Sequence, residues 1–409
     1  MKKYDFIFIC QYFYPEYVSS ATLPFDTAEY LVSNSYSVKV LCGYPKEYTL
    51  DNEVPLEETI SGIDIKRVKY VQLKRSNVFG RIINFASFFV AILFRIGQLK
   101  NCRSIIVYSN PPLIPLIAAW AKMLFGVKII FICYDIYPEI AIKAGSTNRN
   151  SIMAKAMRWI NQVLYPRTDL VITLSEDMKM FLLQNREIGG NIVVIPNWHE
   201  DKGENILLQN ANQSLKNQTF IVSYLGNMGL LQDMDTILDA AIVLKDNNQI
   251  RFLFAGHGSK KEWIESEIKR LDLHNVVCEG FLHGEDYLNA LRKSNCCLVS
   301  LIPGVTDFCS PSKIYAYMMM GKPNVAIMDS CQLSNEIVQE QAGVHIKNGD
   351  AQSLVNFLIK AKAEPNLTKK MGLNARKLYE TKYSKQVCMS EYWTTIKSLM
   401  KDVKASEIM

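Results

Sequence analysis

The chain predicts an α/β protein of two Rossmann-like, doubly wound domains facing a central cleft. Three observations predict it. Short β-rich runs alternate with longer helical runs from the first residues, a polar stretch near the middle interrupts them, and the same alternation then starts again. At 409 residues the length favours two domains or more, each able to bury its own core.

In the first half, strands are expected at Tyr4–Cys10, Val38–Cys42, Ile63–Val71, Ser104–Ser109, Val127–Tyr134, Leu170–Leu174 and Ile192–Ile195. Helices are expected at Ala21–Val32, Val78–Leu99, Leu113–Phe125, Ile152–Leu164 and Asp177–Gln184. The Asn-, Gln- and Lys-rich stretch His199–Thr219 reads as a linker. Beyond it, strands are expected at Phe220–Leu225, Arg251–Ala255, Val276–Gly280, Cys297–Leu301 and Asn324–Met328. The matching helices are Asp235–Lys245, Lys260–Leu271, Asp286–Lys293, Ser312–Met320, Asn335–Gln341 and Ala351–Lys362. The last helical run, Lys385–Met400, exceeds what the second domain needs and is expected to cross back to the first. The domains are then residues 1–200, completed by 384–409, and residues 201–383. Ligands are expected between the carboxyl ends of the two sheets.

Composition excludes several classes. Ten cysteines are scattered without a CxxC pair, and no histidine stands at metal-ligand spacing from a cysteine pair. Reduced thiols are expected, with no disulfide framework and no metal site. The apolar run Phe6–Cys10 is too short for a signal peptide, so a cytoplasmic protein is expected. Charge is uneven: Ile65–Tyr134 holds eleven Lys and Arg and no Asp or Glu, which implies a local anionic partner. No nucleic-acid motif accompanies it.

Within that stretch, Ile82–Phe94 is mostly apolar between Arg81 and Arg95. It is shorter than the ~20 residues a bilayer span needs. One reading is a helix that dips Phe85, Phe88, Phe89 and Phe94 into lipid among Lys74, Arg75, Arg81, Arg95, Lys100 and Arg103, giving peripheral attachment to an anionic inner membrane face. The other is an ordinary buried helix.

Three features of the second half could hold a diphosphate. The strand Phe220–Leu225 runs into Gly226-Asn227-Met228-Gly229, and Gly256-His257-Gly258 follows the next strand in the same way. Glycines there let backbone amides approach phosphate, although glycine is also the default turn residue after any strand. His257 reads equally as a helix-entry residue. The third is Ser310-Pro311-Ser312-Lys313, with Ser at the N-cap, Pro at the first helical position and Lys313 in the first turn. The helix dipole disfavours a cation there, so Lys313 wants an anionic partner unless it is a solvated surface lysine.

The stretches GNMGLLQDMDTI, FAGHGSKKEWIESEI, VVCEGF and SPSKIYAYMMMGKP, preceded by QYFYPE, YDIYPE and VIPNW, resemble glycosyltransferase family 4 along essentially the whole chain. QYFYPE, YDIYPE and VIPNW look specifically like the bacterial branch that builds capsule, O-antigen and exopolysaccharide repeat units. The resemblance implies the GT-B fold and a retaining transfer, without a metal cofactor, from a nucleotide diphosphate-sugar, expected to be UDP-linked. The implied acceptor is a polyprenyl diphosphate-linked glycan. It puts Gly226, Asn227, Gly229 and Lys313 along the diphosphate, Gly256, His257 and Gly258 in the cleft and Phe281 near the base, with Gln232, Ser310, Ser312 and Tyr317 alongside. The family's Glu-x7-Glu pair falls on Phe308 and Ala316, and its basic pair after the first glycine loop is absent, leaving Gln232.

On the acceptor side, Asp135 and Glu139 follow the strand Val127–Tyr134 at the carboxyl edge of the first sheet. Asp135 could position an acceptor hydroxyl, or be a turn residue; Glu139 could join it, or cap the next helix. Tyr14, Glu16, Ser19 and Ser20 form the first loop, where the family commonly has a Gly pair. Two rivals share the fold: a nucleotide-sugar 2-epimerase, and a non-catalytic partner subunit of a transferase, which the Ala316 slot favours.

Overall fold

The computed structural model describes residues 3–46, 49, 53–73, 78–201 and 219–408. Contacts divide the chain into two compact units, Met1–Pro196 with Met389–Met409, and Asn197–Cys388. Most of the expected linker, residues 202–218, lies outside the described residues, as do Lys74 and Arg75.

The first unit holds β1 (Tyr4–Cys10), β2 (Val38–Gly43), β3 (Glu57–Ile60), β4 (Ile63–Val68), β5 (Cys102–Tyr108), β6 (Lys128–Cys133), β7 (Leu170–Thr173) and β8 (Asn191–Val194). They form one sheet in the order β3-β4-β2-β1-β5-β6-β7-β8. Every pairing is parallel except β3 with β4. Strand β1, YDFIFIC, is buried at six of its seven positions, because helices cover both faces of a parallel sheet. The edge strand β3 is Glu-Glu-Thr-Ile, with no buried position; lacking an apolar run, it escaped the sequence reading.

The second unit holds β9 (Phe220–Leu225), β10 (Ile250–Ala255), β11 (Val276–Glu279), β12 (Cys296–Ser300), β13 (Asn324–Ile327) and β14 (Gly343–Ile346). Their order is β11-β10-β9-β12-β13-β14, all parallel. Tyr224, Phe252, Phe254, Met228, Ile237 and Leu298 sit in its core. Strand order reverses between β1 and β5 in one sheet and between β9 and β12 in the other. Loops leaving the carboxyl ends at such a reversal part to opposite faces and open a crevice, the usual ligand position in open α/β sheets.

The closing helix Lys385–Ile408 belongs to the first unit from Met389 onward, as expected of a helix that crosses back. Its buried side Met389, Tyr392, Ile396 and Met400 follows helical spacing. Trp393 packs on Tyr36 with ring centres 5.7 Å apart, and Ser104 donates to the Met400 sulfur at 3.5 Å.

Several elements differ from expectation. The helix from Val78 stops at Leu93, and a separate 3-10 turn spans Ile96–Asn101, the two parted by a turn at Phe94 and Arg95. The helix after Ser310-Pro311-Ser312 begins only at Lys313 and ends at Met319. Ser310 therefore does not cap it; its hydroxyl lies 3.2 Å from the Tyr315 phenol instead, and the N-cap residue is Ser312, without a side-chain cap bond. A helix at Pro365–Leu378 was not expected, its apolar face being masked by charged residues.

Candidate functional site

In the second unit the site grows from the end of β9. Tyr224 is fully buried with its phenol at the carboxyl edge of the strand, donating to the carbonyl of Asn227 at 2.9 Å. Lys313, the first residue of its helix, donates its ammonium to the same phenol at 2.5 Å and to the Asn227 carbonyl at 3.2 Å. Gly226 stands beside it with φ +127°, and a Cβ there would lie 3.5 Å from Lys313 Cε. Among the described residues no carboxylate offsets this cation. Burial alone brings the Lys313 pKa down to about 7. The lysine is thus held by neutral groups at a strand-order reversal, an arrangement that an anion would complete.

The glycines also do a job that the sequence did not announce. Gly226 donates its amide to the Ala255 carbonyl at 2.8 Å, Met228 to the His257 carbonyl at 2.7 Å, and Gly229 to Gln232 Oε1 at 2.8 Å. These amides are engaged inside the protein rather than presented to phosphate. Added Cβ atoms at Gly256 and Gly258 would lie 1.9 Å from the Gly226 carbonyl oxygen and 2.3 Å from that of Met228. The glycines let two loops close on each other, which fixes the Asn227 carbonyl under Lys313. Gln232 holds this loop shut; it is a brace, with its side chain also 3.5 Å from Asn227 Nδ2.

Tyr317 is also corrected. It is fully buried, its phenol donating to the Leu225 carbonyl and accepting from the Leu225 amide, both at 3.0 Å. With both bonds spent on β9 it braces the strand end and has no reach to a ligand. His257 and Phe281 meet edge to face, ring centres 5.0 Å apart, and Phe281 is 41% exposed, leaving aromatic surface open. Ser312 is exposed at the mouth of the Lys313 helix.

In the first unit Asp135 follows β6. The Tyr134 and Asp135 amides both donate to Ser109 Oγ at 3.0 Å, which ties the end of β5 to the turn after β6. The Asp135 carboxylate makes no ion pair or side-chain hydrogen bond among the described residues, and burial raises its pKa to about 6. It lines a cavity with Ser109, Pro112, Phe131, Ile160 and Asn161.

Glu139 is not brought into this group. It opens the short helix Glu139–Lys143 and pairs with Arg186 at 2.6 Å, a residue the sequence reading passed over because it sits alone after a helix end. The pair leaves Glu139 Oε2 and Arg186 Nε buried without a partner among the described residues. Glu16 is buried and accepts the Phe13 amide at 3.3 Å, closing its own turn. Tyr14 is 41% exposed, its carbonyl held by Arg67 at 2.8 Å, and Ser19 and Ser20 begin the helix Ser19–Ser33.

The acid-free stretch is less bare in three dimensions than in sequence. Lys66 pairs with Glu57, Arg67 with Glu58, Arg103 with Asp5, and Lys122 and Lys128 with Asp169. Arg81, Arg95 and Lys100 have no ion pair among the described residues. The helix Val78–Leu93 and the residue after it expose Ile82, Ala86, Val90 and Phe94, a single stripe four residues apart with no polar member. Phe94 is 85% exposed. Phe88, expected to enter lipid, is instead fully buried against Tyr70, while Phe89 packs on Trp120. Among the described residues no helix is long and apolar enough to cross a membrane.

The family described as Glycosyltransferase Family 4 matches residues 21–200, and that described as Glycosyl transferases group 1 matches residues 208–378. The chain belongs to the family 4 glycosyltransferases. It is 24% identical over 357 residues to a probable glycosyltransferase, WbjE, of Pseudomonas aeruginosa, covering 84% of this chain and 86% of that one. Among solved structures, Anabaena HepE in complex with UDP superposes with a TM-score of 0.69 at 15% identity, over 96% of this chain and 100% of that one. WaaG, a glycosyltransferase involved in lipopolysaccharide biosynthesis, superposes with a TM-score of 0.67 at 10% identity, over 95% and 99%. The fold is GT-B. Within this transferase family the departures noted in the sequence stand: Ala316 is buried in its helix and Phe308 only partly covered, so neither supplies a carboxylate.

Proposed function

We propose that this glycosyltransferase moves a sugar from a UDP-linked donor to a lipid-linked glycan in bacterial surface polysaccharide assembly, with retention of configuration. One observation carries the donor side: Lys313, a partly covered cation without a carboxylate, beside Gly226 at the strand-order reversal of the second unit. A diphosphate there restores the charge balance that burial disturbs. Ser310 and Ser312 flank it, and the open face of Phe281 suits a base. In this reading the acceptor hydroxyl enters on the face from which the diphosphate leaves. The departing phosphate oxygen takes its proton, Lys313 stabilises the developing charge, and Asp135 orients the acceptor. The reading assigns charge stabilisation to protein groups and proposes no metal cofactor.

The membrane part rests on the stripe Ile82, Ala86, Val90 and Phe94. A surface helix normally turns polar residues outward; here the most exposed line is apolar, and Arg81, Arg95 and Lys100, without an ion pair among the described residues, flank it in sequence. Each cation near an anionic surface contributes ~1 kcal/mol. A peripheral seat at the inner membrane face would bring the enzyme to a polyprenyl diphosphate acceptor.

Incubation with a panel of nucleotide sugars, reading nucleotide diphosphate release with and without a lipid diphosphate-linked acceptor, tests the proposal. Acceptor-stimulated release from a UDP-sugar is the expected result. No release from any donor and acceptor pair would favour the partner-subunit reading that Ala316 raised.

A further inference from the structure

We infer, resting on the UDP-donor reading, that Tyr315 is a positioning residue for the donor: it fixes the Ser310 hydroxyl so that the Ser310 O–H is left for a phosphoryl oxygen of the nucleotide diphosphate. Tyr315 lies two residues after Lys313 on the helix Lys313–Met319 and is only 1% exposed. Its phenol oxygen lies 3.2 Å from Ser310 Oγ.

Two hydroxyls share that one hydrogen bond, so one O–H is spent and the other is left over. Burial decides which. Were Ser310 the donor, the Tyr315 O–H would be left in the core with no other partner among the described residues. An unpaired buried donor carries the full desolvation cost of the group. Tyr315 therefore donates and Ser310 Oγ accepts. The O–H that remains belongs to Ser310, which is half-buried rather than enclosed and can meet a ligand.

The phenol is held in place from behind. Its ring packs on that of Tyr383, centres 5.0 Å apart. Tyr383 donates in turn to Glu336, which also pairs with Lys382. Lys313 and Tyr315 share one helix, so the ammonium and the Ser310 donor are both set by the same rigid element. Phosphoryl oxygens only accept hydrogen bonds. A group of that kind uses both a cation and an O–H, and leaves neither opposed by a second donor.

Calorimetry with UDP, and NMR titration with uridine, which lacks the diphosphate, test this on the wild type, Tyr315→Phe, Ser310→Ala and the double variant. Tyr315→Phe keeps the ring against Tyr383 and with it the fold. It should raise the UDP Kd about three- to tenfold, the range of one neutral hydrogen bond. Ser310→Ala should raise it about tenfold or more, as loss of a donor to a charged group does. The double variant should match Ser310→Ala alone, because Tyr315 acts only through Ser310. Uridine affinity should hold in all three. An unchanged UDP Kd in either single variant overturns the inference. So do additive losses in the double variant, or an equal loss of uridine affinity in Tyr315→Phe, which a merely structural tyrosine would give. A wild type that does not bind UDP counts against the donor reading instead.

Discussion

Lys313→Met deletes one charge from the second unit and keeps the apolar stem that lies against Gly226. In the free protein burial brings the Lys313 pKa to about 7, whereas a diphosphate in contact returns it toward the ordinary lysine value of about 10.4. Between those values binding takes up a proton, so affinity for UDP weakens as pH rises above about 7, by at most about tenfold per pH unit. The variant loses this pH dependence together with a charge-assisted contact worth about 1.5–3 kcal/mol, which raises Kd roughly 10- to 150-fold at neutral pH. Folding responds with the opposite sign. A lysine whose folded pKa lies below its unfolded value destabilises the fold while protonated, and that cost is relieved as pH climbs from about 7 toward 10. Lys313→Met should therefore melt higher than the wild type at pH 6–7 in the absence of nucleotide. Calorimetry with UDP in two buffers of different ionisation enthalpy, at pH 7 and 8.5, reads affinity and proton uptake together. Unchanged affinity in the variant, or no proton uptake by the wild type, refutes the assignment.

Other expectations follow from the same geometry. Asp135→Asn should cut turnover strongly with little effect on UDP affinity. Because burial raises the Asp135 pKa to about 6, its ionised form destabilises the fold as pH rises from about 4 through 6, so the variant should melt slightly higher at pH 7; wild-type turnover should fall below about pH 6, and turnover within about twofold of wild type would reduce Asp135 to a turn residue. Gly256→Ala forces a Cβ to within 1.9 Å of the Gly226 carbonyl oxygen, so chemical denaturation should show a loss of about 1–3 kcal/mol or more. Tyr317→Phe should lose about 1–3 kcal/mol of stability through the unpaired Leu225 groups while UDP affinity of the folded protein holds; a selective loss of affinity would restore Tyr317 as a ligand contact. Val90→Asp with Phe94→Ser should weaken sedimentation with anionic vesicles even at high salt, where insertion outlasts screened attraction; wild-type indifference to such vesicles would remove the membrane seat.

Much of the fold was legible because parallel strands buried on both faces announce themselves as short apolar runs, as in β1, β5 and β12. Strand β3 was not, since an edge strand of Glu-Glu-Thr-Ile carries no such signal. The site was legible to a different depth. Lys313 stood out because a cation in a first helical turn opposes the helix dipole. Its phenolic partner Tyr224 was hidden in an apolar strand, where one tyrosine two residues before a glycine looks like core. The glycines were found for one reason and the structure adds another: loop-to-loop contact needs the missing Cβ as much as phosphate approach does, and spacing alone does not distinguish the two. Glu139 and Arg186 lie 47 positions apart, a pairing no local pattern reveals. The acid-free stretch likewise hid carboxylates that Asp5, Glu57, Glu58 and Asp169 bring in from elsewhere in the chain.

The central claim, transfer rather than binding or hydrolysis, is tested most directly by mass spectrometry of a lipid diphosphate-linked acceptor after incubation with a UDP-sugar. The account predicts that the acceptor gains the mass of one sugar residue for each UDP released, and that Lys313→Met lowers both together. UDP release without any gain in acceptor mass would contradict it.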